Sequence, residues 1–132
     1  MLKQLSIFAE NKKGTMQQIT QILFENDVNI LGSVNNDSAE YGIVRMVVSD
    51  PDKAEQALAG YMTRQTDVLG VEVVDQPGNL NFLLKTLLET NIDIDYIYLS
   101  FNRESGCPIM VFHVPDVYET EASLKSKGYT VL

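Results

Sequence analysis

The feature that most constrains this chain is an internal duplication. Laid against itself at a shift of 64 residues, the sequence matches Leu5 with Leu69, Gly14 with Gly78, Leu23 with Leu87, Glu25 with Glu89 and Ile30 with Ile94. Further along, Gly42 matches Gly106, Met46-Val47 matches Met110-Val111, and Pro51-Asp52 matches Pro115-Asp116. About a dozen identities accrue where chance supplies roughly three or four, so one small unit is written twice. Conservative matches run between them, such as Ile7 with Val71 and Val28 with Ile92. The register then slips, because Gly60-Tyr61 meets Gly128-Tyr129. The extra four residues in the second copy amount to about one helical turn, so the helix before that point is expected to be longer there. The expected units are residues 1–67 and 68–132, joined by Asp67 to Gly70 with almost no linker between them and therefore held close and fairly rigidly.

Each copy reads the same way. Leu5, Ile7 and Ala9 alternate with Ser6, Phe8 and Glu10, which is strand-like. A polar turn follows, Asn11-Lys12-Lys13-Gly14 in the first copy and Asp75-Gln76-Pro77-Gly78 in the second. Thr15 and Asn79 stand where a helix N-cap belongs. Met16, Ile19, Ile22 and Leu23 then recur at helical spacing, and Leu80, Leu83, Leu84, Leu87 and Leu88 form a cleaner apolar stripe. Asn26-Asp27 and Thr90-Asn91 end these helices. Second strands are expected over Val28 to Val34 and Ile92 to Phe101, turns at Asn36-Asp37 and Asn102-Arg103, and third strands over Gly42 to Val48 and Ile109 to Val114. Asp50-Pro51-Asp52 and Pro115-Asp116 open a second helix, where proline suits the entry and Asp the first turn. Fourth strands fall around Met62 to Thr66 and Tyr129 to Leu132. The fold class is α+β, a ferredoxin-like βαββαβ order written twice, with antiparallel sheets and the helices on one face.

Charge and single residues exclude several functions. Asp and Glu number 18 against 10 Lys and Arg, a formal charge of -8, and no basic run offsets it. Such a surface repels phosphate backbones and anionic lipid, so neither nucleic acid nor membrane is an expected partner. Nothing at the start resembles a signal peptide, and no stretch is long and apolar enough to span a bilayer. The lone cysteine, Cys107, forms no internal disulfide and lies outside any zinc or redox motif, which suits a reducing cytoplasm. His113 is the single histidine, so a Ser-His-Asp set or a metal cluster has little to build on. There is no phosphate-binding glycine loop. Arg45 and Arg103 are available for acyl-phosphate hydrolysis, but neither sits on a phosphate-binding loop. No catalytic residue, metal or cofactor is therefore expected.

The glycine-led turn carries the chemistry that remains. Gly14 and Gly78 each precede a helix, where backbone can approach a ligand closely. The first helical turn presents unpaired N–H groups and partial positive charge, which suit a carboxylate. Asn11 or Asp75, across the turn, offers oxygen to an ammonium group. Together these read an α-amino acid. The competing explanation is a turn that ends in glycine and a capped helix that binds nothing. Asp93 and Asp95, two apart, share a side and attract a cation or amine if they are not simply a solvated strand face. Tyr96, Tyr98 and Phe101 wall an apolar pocket, form an interface with another chain, or pack in the sheet.

The arrangement and the wording of the turn resemble the ACT domain family. Its signature is a first strand ending in Asp or Asn, then Pro-Gly-x-Leu, a helix, and a strand of the form Val/Ile-Asn-Ile. The second copy reads Asp75-Gln76-Pro77-Gly78-Asn79-Leu80, and the first carries Val28-Asn29-Ile30. Lys13 stands in place of the proline and Met16 of the leucine in the first copy, and Asp93 in place of the asparagine in the second. The resemblance implies two regulatory units with no attached enzyme domain. It also implies an amino acid or similar ligand at the joint between units, held by the first turn of one unit and the second strand of its neighbour. The implied ligand residues are Asn11, Lys13, Gly14, Thr15 and Met16 with Asn29, Ile30 and Leu31, and Asp75, Pro77, Gly78, Asn79 and Leu80 with Asp93, Ile94 and Asp95. A homodimer and a separate regulated enzyme are the expected protein partners. The rival reading is an interaction subunit that binds no ligand and docks on a metabolic enzyme through an exposed sheet face or strand edge.

Overall fold

A computed structural model describes residues 1–10, 12–37 and 41–132, with only the backbone of Asp37 and Tyr41. Asn11, the first candidate on the ligand turn, lies outside the described residues. The elements in chain order are β1 (Leu2–Glu10), α1 (Thr15–Glu25), β2 (Ile30–Asp37), β3 (Tyr41–Val48), α2 (Pro51–Ala57), β4 (Met62–Glu72), α3 (Asn79–Glu89), β5 (Tyr96–Phe101), β6 (Pro108–His113) and α4 (Val117–Ser126). The chain divides into two compact units, one of Lys3–Thr66 and one of Met1–Leu2 with Asp67–Leu132. Asp67 to Gly70, expected as a short joint, lie inside β4, which gives residues 62–66 to the first unit and 67–72 to the second.

In the first unit the strand order is β2-β3-β1-β4, with β1 and β2 both antiparallel to β3. Leu5 lies opposite Met46 and Ile7 opposite Val44. That pairing puts alternate residues of both strands on the face that meets Ile19 and Leu23 of α1 and Ala54 of α2 in one core. In the second unit the order is β4-β6-β5. Leu69 lies opposite Phe112 and Val71 opposite Met110, against Leu83 and Leu87 of α3 and Leu124 of α4. The opposite face is not the exposed surface a docking sheet would need, because Tyr98, Ile109, Val111 and Ser100 are all buried. Beyond β4, the expected last strand is reduced to an antiparallel bridge between Val131 and Val71, flanked by bonds from Glu72 N to Thr130 O and from Leu132 N to Gly70 O.

The pairing corrects the sequence alignment of the copies. Asp50 caps α2 by accepting from the Lys53 amide, and Asp116 caps α4 by accepting from the Glu119 amide. Asp50 is therefore equivalent to Asp116, and Pro51-Asp52 to Pro115-Asp116 is a chance match displaced by two residues. The core agrees: Val44, Met46 and Val48 correspond to Met110, Phe112 and Val114, and Leu58 to Leu124. The slip expected wholly in the second helix is thus divided. Two residues enter the β5–β6 connection and two more the end of α4, which spans 10 residues against 7 in α2. Strand pairing overrides a local identity, because Met46 lies opposite Leu5 and Phe112 opposite Leu69, the same place in each copy's first strand.

Thr15 and Asn79 are not the N-caps. Gly14 and Gly78 hold that position with φ of 89° and 93°, and no side chain caps either helix. Thr15 and Asn79, one residue on, bond backwards: Thr15 Oγ1 donates to Glu10 O at 3.0 Å, and Asn79 Nδ2 to Val74 O at 2.9 Å. Both copies close the turn with the same clamp. The other ends of α1 and α3 also match. Asp27 and Asn91 take left-handed φ of 56° and 58°. Their amides bond Phe24 O and Leu88 O, and the next amides, of Val28 and Ile92, bond Leu23 O and Leu87 O. These are Schellman ends made without glycine, fastened by burying Val28 on Leu23 and seating Ile92 on Leu87.

Two strand boundaries also move. β2 begins at Ile30, after Asn29 has exchanged hydrogen bonds with Ser49, and continues through Asn36 and Asp37, which had been expected to turn. β5 begins at Tyr96, so Asp93, Ile94 and Asp95 precede the strand.

Candidate functional site

Glycine at the entry of α1 borders a cavity lined by the predicted turn. A space of about 250 Å³ is bounded by Gly14, Thr15, Met16 and Gln17 on the helix side, by Ala9, Glu10 and Lys12 at the end of β1, and by Asn35, Asn36, Gly42, Ile43 and Val44 of β2 and β3. Ala9 lies opposite Gly42, and Asn35 opposite Val44, so register alone carries the asparagines to the mouth of the turn. Gly14 leaves the space open, since a β-carbon there would have no atom within 4 Å. Glu10 and Lys12 form an exposed ion pair at 3.2 Å, which leaves both charges within reach of a ligand and screened by solvent. The Thr15 amide bonds Lys12 O at 3.2 Å.

The other predicted residues are distributed elsewhere. Lys13 is exposed beside the turn and outside the cavity lining. Asn29 is exposed and tied to Ser49. Ile30 packs on the core, and Leu31 sits at a bulge in β2. In the second unit Asp75, Pro77, Gly78 and Leu80 are exposed. Asn79 lines a space of about 260 Å³ with Phe82 and Tyr129, on the far flank of α3. A related space of about 360 Å³ in the first unit is lined by Thr15, Gln18 and Tyr61, which are the counterparts. Asp93 lines a different cavity of about 500 Å³ with Asn91, Asp116 and Glu119. Asp95 is engaged: its Oδ2 lies 2.7 Å from His113 Nδ1, and the His113 ring stacks on Tyr96 with centroids 5.7 Å apart. Tyr96 and Tyr98 face opposite to the helices while Phe101 faces the helix side, so the three do not form one cluster.

Asn35 and Asn36 are the residues that sequence reasoning passed over, having ended the strand at Val34 and placed a turn at Asn36-Asp37. The signal was in β3: once Val44, Met46 and Val48 are taken as the buried set, antiparallel pairing extends β2 to meet them. The equivalents of Asn35, Asn36 and Gly42 in the second unit are Leu99, Ser100 and Pro108, a less polar wall. Among the described residues no group of three or more His, Cys, Asp or Glu could hold a metal ion. No helix among them is long and apolar enough to cross a membrane.

Two βαββαβ units with a glycine-led helix entry in each define a duplicated α+β protein of ferredoxin-like fold. The chain belongs to the ACT domain pair family, whose model matches residues 1–127. No curated protein matches the sequence. Among solved structures it is similar to protein BT0572 from Bacteroides thetaiotaomicron, at 33% identity over 99% of this chain and 91% of that one, with a TM-score of 0.89. It is similar in fold to the ligand-free regulatory subunit of aspartate kinase from Thermus thermophilus, at 16% identity over 94% of this chain and 89% of that one, with a TM-score of 0.66. The corresponding subunit from Thermus flavus gives 18% identity, 95% and 90% coverage and a TM-score of 0.65.

Proposed function

We propose that this chain is a non-catalytic cytoplasmic sensor that binds an α-amino acid or a close analogue and acts as a regulatory homodimer on a separate enzyme. The observation that carries the ligand reading is the cavity at the Gly14 turn. Its lining combines the start of a helix with the Glu10 carboxylate and two asparagine side chains. A ligand carboxylate takes the helix end, where Met16 and Gln17 carry first-turn amides. The ammonium takes Glu10 and the oxygens of Asn35 or Asn36. The first unit is the better site, because the second offers Leu99 and Pro108 in the same places and its turn residues Asp75, Pro77, Gly78 and Leu80 are exposed. The regulatory role is supported by the family and by the likeness in fold to regulatory subunits of aspartate kinase.

The test is a thermal-shift screen of the twenty amino acids and their deaminated analogues. A ligand that binds only the folded state at about 100 times its dissociation constant adds about 2.7 kcal/mol. That moves the midpoint of a protein this size by several degrees. If no amino acid shifts the midpoint and a pull-down recovers one enzyme, the chain is an interaction subunit instead. Turnover of an acyl phosphate by the purified protein would overturn the sensor reading in favour of catalysis.

A further inference from the structure

One space occurs at the same place in both units with different chemistry. In the second unit Val74, Asn79, Phe82 and Tyr129 line about 260 Å³ beside α3. In the first unit their equivalents Glu10, Thr15, Gln18 and Tyr61 line about 360 Å³ beside α1. Bonding supports the match of the tyrosines. The Tyr61 amide bonds Leu58 O and the Tyr129 amide bonds Leu124 O, and Leu58 and Leu124 are equivalent core residues.

The second unit satisfies its polar groups internally. The Tyr129 hydroxyl lies 3.1 Å from Thr86 Oγ1, Asn79 Nδ2 donates to Val74 O at 2.9 Å, and Glu72 accepts from Asn102 at 2.7 Å. Val74 and Phe82 add only apolar side chains. The first unit leaves its groups open. Ile22 stands in place of Thr86 and packs on the core, so it offers the Tyr61 hydroxyl nothing. Among the described residues neither that hydroxyl nor the Gln18 amide has a hydrogen-bond partner. Tyr61 is half-buried and packed on the core, so its ring is held in place at the cavity. Lys12 adds a cation, with Nζ 3.2 Å from Glu10 Oε2 in an exposed pair. Such a pair is weak and leaves two ammonium donors unused, so Lys12 turns to an anion at little cost. Phe8 and Met62 complete the wall with apolar surface.

We propose that this flank of the first unit is a second ligand site, for a small monocarboxylate with another oxygen beside the carboxylate, the chemistry of an α-keto or α-hydroxy acid. Lys12 takes the carboxylate. Gln18 Nε2 and the Tyr61 O–H donate to the second oxygen, and a short carbon chain lies on Phe8 and Met62. One ammonium matches one negative charge. The Glu10 carboxylate beside it and the net charge of -8 repel a dianion such as phosphate or a dicarboxylate. The two cavities share Glu10, Lys12 and Thr15, but Gln18 and Tyr61 line only this one. The site therefore stands whether or not an amino acid occupies the Gly14 turn.

The experiment is isothermal titration calorimetry of the full chain with pyruvate, lactate and α-ketoisovalerate, and with inorganic phosphate and succinate as dianions. Wild type is expected to bind at least one of the three monocarboxylates with a dissociation constant below about 1 mM, and both dianions more weakly. Tyr61→Phe removes the hydroxyl alone and is expected to weaken that binding about 10-fold. Gln18→Phe copies Phe82 of the second unit into the space and is expected to abolish it. Gln18 is exposed and phenylalanine keeps the ring of Tyr61, so both variants stay folded, which circular dichroism checks. Asn35→Leu alters the Gly14 cavity alone and leaves the monocarboxylate affinity unchanged. Binding that survives both Gln18→Phe and Tyr61→Phe overturns the site. Binding lost with Asn35→Leu also overturns it, by placing the acid at the Gly14 turn. So does a wild type that binds none of the three acids, or that prefers phosphate or succinate.

Discussion

Replacing Gly14 with alanine separates backbone strain from steric clash and separates both from binding. Gly14 has φ 89°, and an added β-carbon meets nothing within 4 Å. The whole stability cost is then the left-handed conformation of a residue with a β-carbon, about 1–2 kcal/mol. Gly78 has φ 93°, and its β-carbon would meet only Phe82 Cε2 at 3.7 Å, an ordinary contact. Gly78→Ala is therefore expected to cost the same within about 0.5 kcal/mol. Each lowers the melting temperature by about 3–8 °C. Asparagine tolerates the left-handed region, so Gly14→Asn recovers part of the loss. Urea denaturation gives the stabilities, and the amino-acid thermal shift is read on the same samples. The ligand response is expected to fall in Gly14→Ala, whose methyl group borders the cavity, and to persist in Gly78→Ala. A loss above about 4 kcal/mol, or none, would refute the strain argument. Equal ligand responses in the two alanine variants would remove the Gly14 turn from the site.

Asn35→Leu copies the second unit's wall into the first. It is expected to abolish the amino-acid shift while leaving the denaturation midpoint within about 0.5 kcal/mol of wild type, since Asn35 is exposed; a retained shift takes Asn35 out of the ligand contacts. Asp116→Ala and Asp50→Ala each remove a cap from an equivalent helix entry, at 2.9 and 3.1 Å. Each is expected to cost about 1 kcal/mol by urea denaturation, and a neutral result for both contradicts the capping role of these two side chains. Gly70→Ala brings a β-carbon to 2.6 Å from Leu2 Cδ1 and 3.1 Å from Ile109 Cγ2. A loss of about 1–3 kcal/mol is expected, relieved in the double variant with Leu2→Ala; no relief would place the strain at Ile109.

Much of the fold was legible because it rests on local chemistry repeated. The leucine spacing of α3, the apolar alternation of β1, the glycine before each first helix and the Asn or Asp after it are preferences of short segments, and writing them twice made them stand above chance. The errors fell where a distant partner decides. Thr15 and Asn79 have the composition of caps, but glycine in the left-handed region takes the cap position, and their side chains reach back to Glu10 and Val74 carbonyls. Pro51-Asp52 and Pro115-Asp116 are identical in sequence and two residues apart in register, because the pairing of β3 with β1 and of β6 with β4 sets the alignment.

The sequence by itself determined that one βαββαβ unit occurs twice, that each copy opens its first helix with a glycine, and which residues have the pattern of a core. Only the tertiary structure decided that Asn35 and Asn36 stand at the Gly14 turn, that Asp95 is engaged by His113, and that Gln18 and Tyr61 line one cavity. The physical reason is range. Helix and strand preferences and left-handed turns are settled within a few residues of chain, whereas a cavity or an exposed flank depends on which strands pair and in what register, and that is set by the burial of side chains far apart in sequence.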